Sequence, residues 1–422
     1  MMVSFRPCLL ALLALAIVEA KHVDYSGHKV LSITPKSEAD LEFLHKLRND
    51  YSVDLWNEPR YSGVPVMTHL KPDLVNAVEQ ALTENKIDFD VAFHDLQTVI
   101  DSEKVMNAPS DASQADAFDF GKYNEYAKIE ALIQSLAANN PSIAKLETVG
   151  KSYENRPIYN LRITSGKSDN KPAIMMECGV HAREWSSVAT GAYLVNKLIT
   201  QYGKDPQVTK LVDTYEFNVI VEANPDGYIY TWTTDRLWRK TRSRSSIDWL
   251  GVCRGADANR NFDIEHCGVG TSRKPCEEIY CGDRPFSENE SRAIRDLMIS
   301  LGSRIKAYFS IHAYSQLWMT PYGTSKKLPP NYTELSRVGQ IGVAALAKKY
   351  GTQYSLGSIA NIIYEAAGSS VDYAYVKQNI KIAYALELRD TGRHGFFLPQ
   401  NQILPTCEET FDGLMAAVEA LQ

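Results

Sequence analysis

His181 and Glu184 stand three residues apart in His181-Ala182-Arg183-Glu184, just after an apolar run that ends near Val180. An imidazole and a carboxylate both suit zinc, and a catalytic zinc site keeps three protein ligands and one open position for water. Alone, the pair reads more readily as polar surface. His312 is a second candidate ligand; it ends the apolar run Ala307-Tyr308-Phe309-Ser310-Ile311, and by itself it reads as a satisfied core histidine. Glu387 closes Tyr384-Ala385-Leu386 and could take a proton from water and return it to a leaving amine, or simply pair with Arg389. The segments Arg236-Leu237-Trp238-Arg239-Lys240-Thr241-Arg242 and Asp257-Ala258-Asn259-Arg260-Asn261 add guanidiniums and amides. Buried guanidiniums bind a carboxylate through two parallel hydrogen bonds, whereas a bare charge run is solvated surface.

The candidates His181, His312 and Glu387 all follow runs that read as buried strands, and in an open α/β sheet ligand sites form beyond the carboxyl ends of strands. From about Tyr123 to the end, β-rich runs at 158–164, 172–178, 216–222, 307–312 and 381–388 alternate with helical patterns. The helices are expected at 129–138, 188–202, 288–300, 333–350 and from 406 onward, with Ser287 and Glu290 as a capping box for the third. Upstream, extended runs at 28–34, 51–56, 64–69 and 89–93 enclose a helix from Ser37 to about Asn49 and another from Pro72 bearing Leu74, Val78 and Leu82. The order βαββαβ is that of a split βαβ sandwich. Between Met106 and Asp119 large aliphatic residues nearly vanish, the mark of a linker and of a site for proteolytic separation.

A formal net charge of -6 over 422 residues argues against nucleic acid as a partner, because such surfaces cluster Lys and Arg. Arg6, the apolar run from Cys8 to Val18 and the ending Val18-Glu19-Ala20 read as a secretory leader over residues 1–20. The run is shorter than the ~20 residues that span a bilayer, and no membrane anchor is expected. Secretion favours disulfides among Cys253, Cys267, Cys276 and Cys281, whose spacing permits three connectivities. Cys178 and Cys407 have no local partner and are expected as buried thiols. Asn289 and Asn331 head glycosylation sequons.

Taken together, Gly179-Val180-His181-Ala182-Arg183-Glu184-Trp185, Leu237-Trp238-Arg239-Lys240-Thr241-Arg242, Asp257-Ala258-Asn259-Arg260-Asn261, Ser310-Ile311-His312 and Glu387-Leu388-Arg389-Asp390-Thr391-Gly392-Arg393 resemble the zinc metallocarboxypeptidase A/B family, in the family's order and spacing. The resemblance covers nearly the whole chain after the leader. It implies an α/β fold with a mixed central β-sheet flanked by helices, preceded by a small α+β ferredoxin-like inhibitory prosegment. The expected division is a signal peptide at 1–20, an activation prosegment at 21–110 and a catalytic domain at 111–422, secreted as a monomeric zymogen with a digestive role.

By the same resemblance one zinc ion is held by His181, Glu184 and His312, Glu387 is general base and acid, and Arg239 stabilises the oxyanion. Asn259, Arg260 and Tyr364 hold the substrate's terminal carboxylate, Arg183 assists one residue further in, and Asp257 orients His181. Seven residues beyond Tyr364 the basic-specific branch carries an acid; here Val371 stands there, and Ile359, Ala366, Ala385 and Gly323 are also uncharged. A cationic side chain would be desolvated in such a pocket without a partner, so apolar or aromatic C-terminal residues are expected as substrates. The cysteine pattern instead resembles the B-type branch and suggests Cys253 with Cys276 and Cys267 with Cys281. The expected partners are peptide and protein substrates, proteinaceous carboxypeptidase inhibitors and an activating protease, trypsin-like if it cuts at Lys104.

Overall fold

The computed structural model describes residues 22–421 except 52, 58, 60, 109–117, 167–169 and 249. The leader at 1–20 and the boundary between 110 and 111 therefore lie outside the described residues. In the N-terminal segment, β1 (Lys29–Thr34), β2 (Asp54–Leu55), β3 (Val66–Leu70) and β4 (Asp88–Phe93) pair antiparallel in the order β2-β3-β1-β4. The helices Glu38–Tyr51 and Pro72–Glu84 bring Leu44, Leu47, Val75, Val78 and Leu82 onto Leu31, Ile33, Val66 and Leu70, which gives the segment its own aliphatic core. The expected ferredoxin-like arrangement is present. The extended run at 51–56 shrinks to two residues because the first helix continues through Tyr51.

A helix at Leu96–Asn107 overlaps the start of the expected linker. Asp95 caps it by accepting the Gln97 N–H at 2.9 Å, and Leu96, Ile100 and Glu103 form an i, i+4, i+7 stripe buried against the larger domain. Composition could not reveal that docking, because Glu103 does not read as an apolar anchor.

The larger sheet contains β5 (Ala144–Lys151), β6 (Pro157–Ile163), β7 (Ala173–Cys178), β8 (Glu216–Ile220), β9 (Ile305–His312), β10 (Leu317–Thr320), β11 (Ser355–Ser358) and β12 (Ile382–Glu387). Its order is β11-β10-β12-β9-β7-β8-β6-β5. The four central strands run parallel, while β10, β6 and β5 join antiparallel, so the sheet is mixed as expected. The central strands are buried along almost their whole length, the condition that makes parallel strands read as continuous apolar runs. The expected helices appear at Tyr126–Asn139, Trp185–Thr200, Asn289–Leu301, Tyr332–Tyr350 and Gln400–Glu419.

The Ser287 and Glu290 capping box does not form. Glu288 occupies the cap position without a side-chain cap bond, Ser287 Oγ donates to Glu288 Oε1 at 2.8 Å, and the Glu290 carboxyl is buried with neither oxygen hydrogen-bonded to another residue. Cys253–Cys276 and Cys267–Cys281 are disulfides, and Cys178 and Cys407 are free and buried. Among the described residues, no helix is long and apolar enough to cross a membrane.

Candidate metal centre

The chain leaves β7 through Gly179, whose φ of +72° favours glycine; an added Cβ would also meet the Glu222 carboxylate at 2.7 Å. This turn delivers His181, and Glu184 follows at the cap of the helix Trp185–Thr200. His312 ends the neighbouring β9, and Glu387 ends β12 directly opposite His312 in the parallel register. The carboxyl ends of three adjacent strands thus converge where an open α/β sheet places a ligand.

His181, Glu184 and His312 are all buried, with ligand atoms within 4.8 Å of one another. The two Nδ1 atoms face each other at 3.1 Å, and Glu184 reaches His181 Nδ1 with Oε1 at 2.7 Å and His312 Nδ1 with Oε2 at 3.1 Å. Two imidazole lone pairs and a carboxylate aimed at one buried point make a donor set that a divalent cation satisfies. The outward ring nitrogens have partners of their own: His181 Nε2 lies 3.1 Å from Asp257 Oδ1, and His312 Nε2 lies 2.8 Å from Ser310 Oγ. Outward bonds of this kind orient imidazoles that bind metal, and the site fits zinc.

Burial disfavours the ionised Glu184, but the imidazoles of His181 and His312 outweigh it and hold the carboxyl well below the usual range. Burial likewise opposes charge on His312, and here Glu184 and then Glu387 win, raising it to about 9. Glu387 is pushed up to about 8, by burial first and by the Glu184 charge second, against the pull of His312, Arg239 and Arg260.

Arg239 donates to Asp257 Oδ2 through Nε at 3.1 Å and Nη2 at 2.8 Å, with Nη1 at 3.6 Å from Glu184. Arg260 Nη2 donates to the Tyr364 hydroxyl at 3.2 Å, and Asn259 Oδ1 accepts the Ser370 N–H at 2.9 Å. Asn259, Arg260, Tyr364, Glu387 and the two histidines rim a pocket whose wall is Met319, Ile359, Ile363, Ala366, Ser369, Val371 and Ala385. Gly323 stands behind the wall rather than in it, its N–H donating to Asp372. The Asp372 carboxyl, raised to about 7 by burial, is turned onto the Gly323 and Thr324 amides.

The prosegment faces this site. Arg183 lies over Phe396 with 4.5 Å to the ring centre, 3.7 Å from Asp54 and 3.9 Å from Glu278. Asp54, Trp56 and Asn57 look onto Arg183, Arg239, Arg260 and Tyr364 across a cavity of about 270 Å³. Trp56 packs on Phe396 and Phe397 with ring centres 5.2 and 6.2 Å away. Glu103 forms a buried two-pronged pair with Arg236 at 2.5 and 3.0 Å, and Arg236 also donates to the carbonyls of Arg183 and Phe396. Sequence reasoning missed Asp54, Trp56 and Glu103, and it missed Ser310 behind His312. The strand alternation that places Ser310 on the face of His312 was the available signal.

A buried His-Glu-His cluster at the carboxyl edge of a mixed sheet, with a titratable carboxyl and guanidiniums beside it, defines a metallohydrolase site. The chain belongs to the zinc carboxypeptidase family: the family pattern described as zinc carboxypeptidase matches residues 129–413, and that described as carboxypeptidase activation peptide matches 31–103. The protein is thus a zinc metallopeptidase carrying an activation peptide, and the family uses one zinc ion per chain. It is 39% identical to human carboxypeptidase B over 96% of both chains and 38% identical to bovine carboxypeptidase A1 over 94% of both. Among solved structures, carboxypeptidase A from Helicoverpa armigera aligns with a TM-score of 0.86 at 26% identity, covering 95% of this chain and 98% of that one. Thrombin-activatable fibrinolysis inhibitor aligns at 0.84 and 32% identity, covering 93% and 98%, and its bovine form has been solved in complex with a tick carboxypeptidase inhibitor.

Proposed function

We propose that this chain is the secreted zymogen of a carboxypeptidase that releases apolar and aromatic residues from peptide C-termini. The observation that carries the specificity is the pocket wall, where Val371 stands among Met319, Ile359, Ile363, Ala366 and Ala385 with no charged side chain. Asp372, the acid beside it, has its oxygens committed to backbone amides. An aliphatic or aromatic side chain gains burial there at about 25 cal/mol per Å², whereas Lys or Arg loses its hydration without an ionic partner.

Zinc held by His181, Glu184 and His312 would supply a Lewis acid that acidifies water and polarises the scissile carbonyl. Glu387 accepts the proton of the attacking water and returns it to the leaving amine. Arg239 meets negative charge that develops on the carbonyl oxygen, an interaction strongest in the transition state. Asn259, Arg260 and Tyr364 bind the terminal carboxylate that an internal peptide bond does not offer, which makes the action exopeptidic. Asp257 keeps His181 oriented, and Arg183 contacts the residue before the scissile bond once Asp54 has left.

The reading places the signal peptide at 1–20, the prosegment at 21–110 and the enzyme at 111–422. Lys104, exposed in the helix Leu96–Asn107, is the cut a trypsin-like protease would make after the helix end opens. On this reading a proteinaceous carboxypeptidase inhibitor, of the kind solved in complex with the bovine relative, is a further partner.

B-type specificity is the second reading, favoured by the disulfide pairs Cys253–Cys276 and Cys267–Cys281, which are those the resemblance to the B-type branch suggested; overall similarity, 39% to one branch and 38% to the other, favours neither. The test is hydrolysis of blocked dipeptides ending in Phe, Leu, Lys or Arg, before and after limited trypsin, with and without a zinc chelator. Release of Phe and Leu only after cleavage and only with metal is expected; preference for Lys and Arg would establish the B-type reading.

A further inference from the structure

His181 and His312 face the metal point alike, but their outer partners differ in kind. His181 Nε2 meets the Asp257 carboxylate directly. His312 Nε2 meets a hydroxyl, Ser310 Oγ at 2.8 Å, and that hydroxyl reaches a fully buried carboxylate, Glu177 Oε1, at 2.6 Å. The strand period builds this chain of contacts. Ser310 and His312 are two residues apart in β9 and share a face, and β7 sets Glu177 in register with Ser310.

We infer that Ser310 and Glu177 form a relay that positions His312 as a metal ligand. Glu177 Oε1 also accepts from the Tyr308 hydroxyl at 3.0 Å and lies 3.3 Å from Ser370 Oγ. With its hydrogen committed to Glu177, the Ser310 oxygen offers only lone pairs to His312. Nε2 therefore keeps its proton when the ring is neutral, and Nδ1, toward Glu184 and His181, is the nitrogen whose lone pair a cation would take. The Asn259 amide nitrogen, fixed as a donor by the Ser370 N–H on its oxygen, lies 3.3 Å from the same Nε2 and competes for it, but the Ser310 oxygen is nearer by 0.5 Å (3.3 against 2.8 Å) and decides where the proton sits. The relay restricts both the tautomer and the rotation of the ring, a task Asp257 performs for His181 in one step.

The inference rests on His312 being a zinc ligand, and the test separates the two claims. Zinc affinity is measured on the full-length precursor by competition with a chromogenic chelator, which needs no turnover. Thermal unfolding is followed with and without zinc. Outer partners of metal-binding histidines are worth about 10–100-fold in affinity. Ser310→Ala is expected to weaken zinc binding by about 10-fold or more while the metal-free protein melts as the parent does. Glu177→Gln, of equal size, is expected to weaken binding similarly, and Ser310→Thr, which keeps the hydroxyl, to restore it. After activation, Ser310→Ala should lower kcat at nearly unchanged KM. Parental zinc affinity in both Ser310→Ala and Glu177→Gln, with His312→Ala losing zinc, would overturn the relay alone. Parental affinity in His312→Ala would overturn the ligand assignment itself. If Ser310→Ala fails to fold, Glu177→Gln and Ser310→Thr decide: equal affinity in these two overturns the relay.

Discussion

In the prosegment, the side chains buried between sheet and helices are aliphatic save for Thr68, with Leu31, Ile33, Leu44, Val78 and Leu82 at the centre. The enzyme domain buries Glu177, Glu184, Glu222, Asp257, Glu290 and Asp372 as well, most of them around or behind the metal point. The buried carboxylate among the described prosegment residues is Glu103, and it is buried only because it pairs with Arg236 of the enzyme. One region is a folded plug; the other uses buried charge to hold reacting groups in place. Buried charge survives only where it is paired, hydrogen-bonded or neutralised, so the network around the metal point must be complete to be tolerated.

The contrast breaks most sharply at Glu387. Glu387→Gln should lower kcat of the activated enzyme by about 10²–10⁴ while zinc stays bound and the prosegment still docks; stopped-assay kinetics with metal analysis checks this. Glu103→Ala should come next. Removing one partner of a buried pair costs about 3–5 kcal/mol, so the precursor should show activity before cleavage and the cut prosegment should dissociate faster, as read by gel filtration.

Glu290 tests buried charge inside the enzyme's own core. Its carboxyl is raised to about 8, by burial first and then by Glu288, against a weaker pull from its own backbone N–H, and no other residue hydrogen-bonds either oxygen. The unfolded chain releases this proton near the ordinary value and the folded chain holds it until about 8. The folded state therefore binds more protons across that window, and stability should fall as pH rises through it, by roughly 1.4 kcal/mol per unit. Glu290→Gln should flatten this slope, so that its stability relative to the parent rises by roughly 3–4 kcal/mol between pH 4.5 and pH 7, measured by urea denaturation across pH. The smallest effect is expected at the pocket. Val371→Asp should shift preference toward Lys and Arg by about 1–3 kcal/mol, checked by the ratio of kcat/KM for Arg- and Phe-terminated substrates.

The first two helices and the four-stranded sheet of the prosegment were largely legible, because they are held by contacts that follow directly from period 3.6 and period 2, whereas the third helix, Leu96–Asn107, was not read. In the enzyme, β7, β9 and β12 were legible for the same reason, whereas β5, with Lys145 and Glu147 exposed or half-exposed, and the four-residue β10 and β11 were not. The pair His181 and Glu184 was legible only as one spacing among many. Its meaning depended on His312, 131 residues later, and no local pattern links the two.

The sequence by itself determined the order of elements, the strand ends on which His181, His312 and Glu387 sit, and the apolar character of Val371 and its neighbours. These follow from side-chain type and short-range periodicity, which any segment carries with it. Only the tertiary structure decided that Nδ1 rather than Nε2 faces the metal point and that Ser310 and Glu177 stand behind His312. It also decided that Glu103 and Asp54 of the prosegment meet Arg236 and Arg183. Those facts depend on strand register and domain docking, where residues far apart in the chain are brought within hydrogen-bond distance, and the free energy of each contact exists only after the rest of the fold has formed.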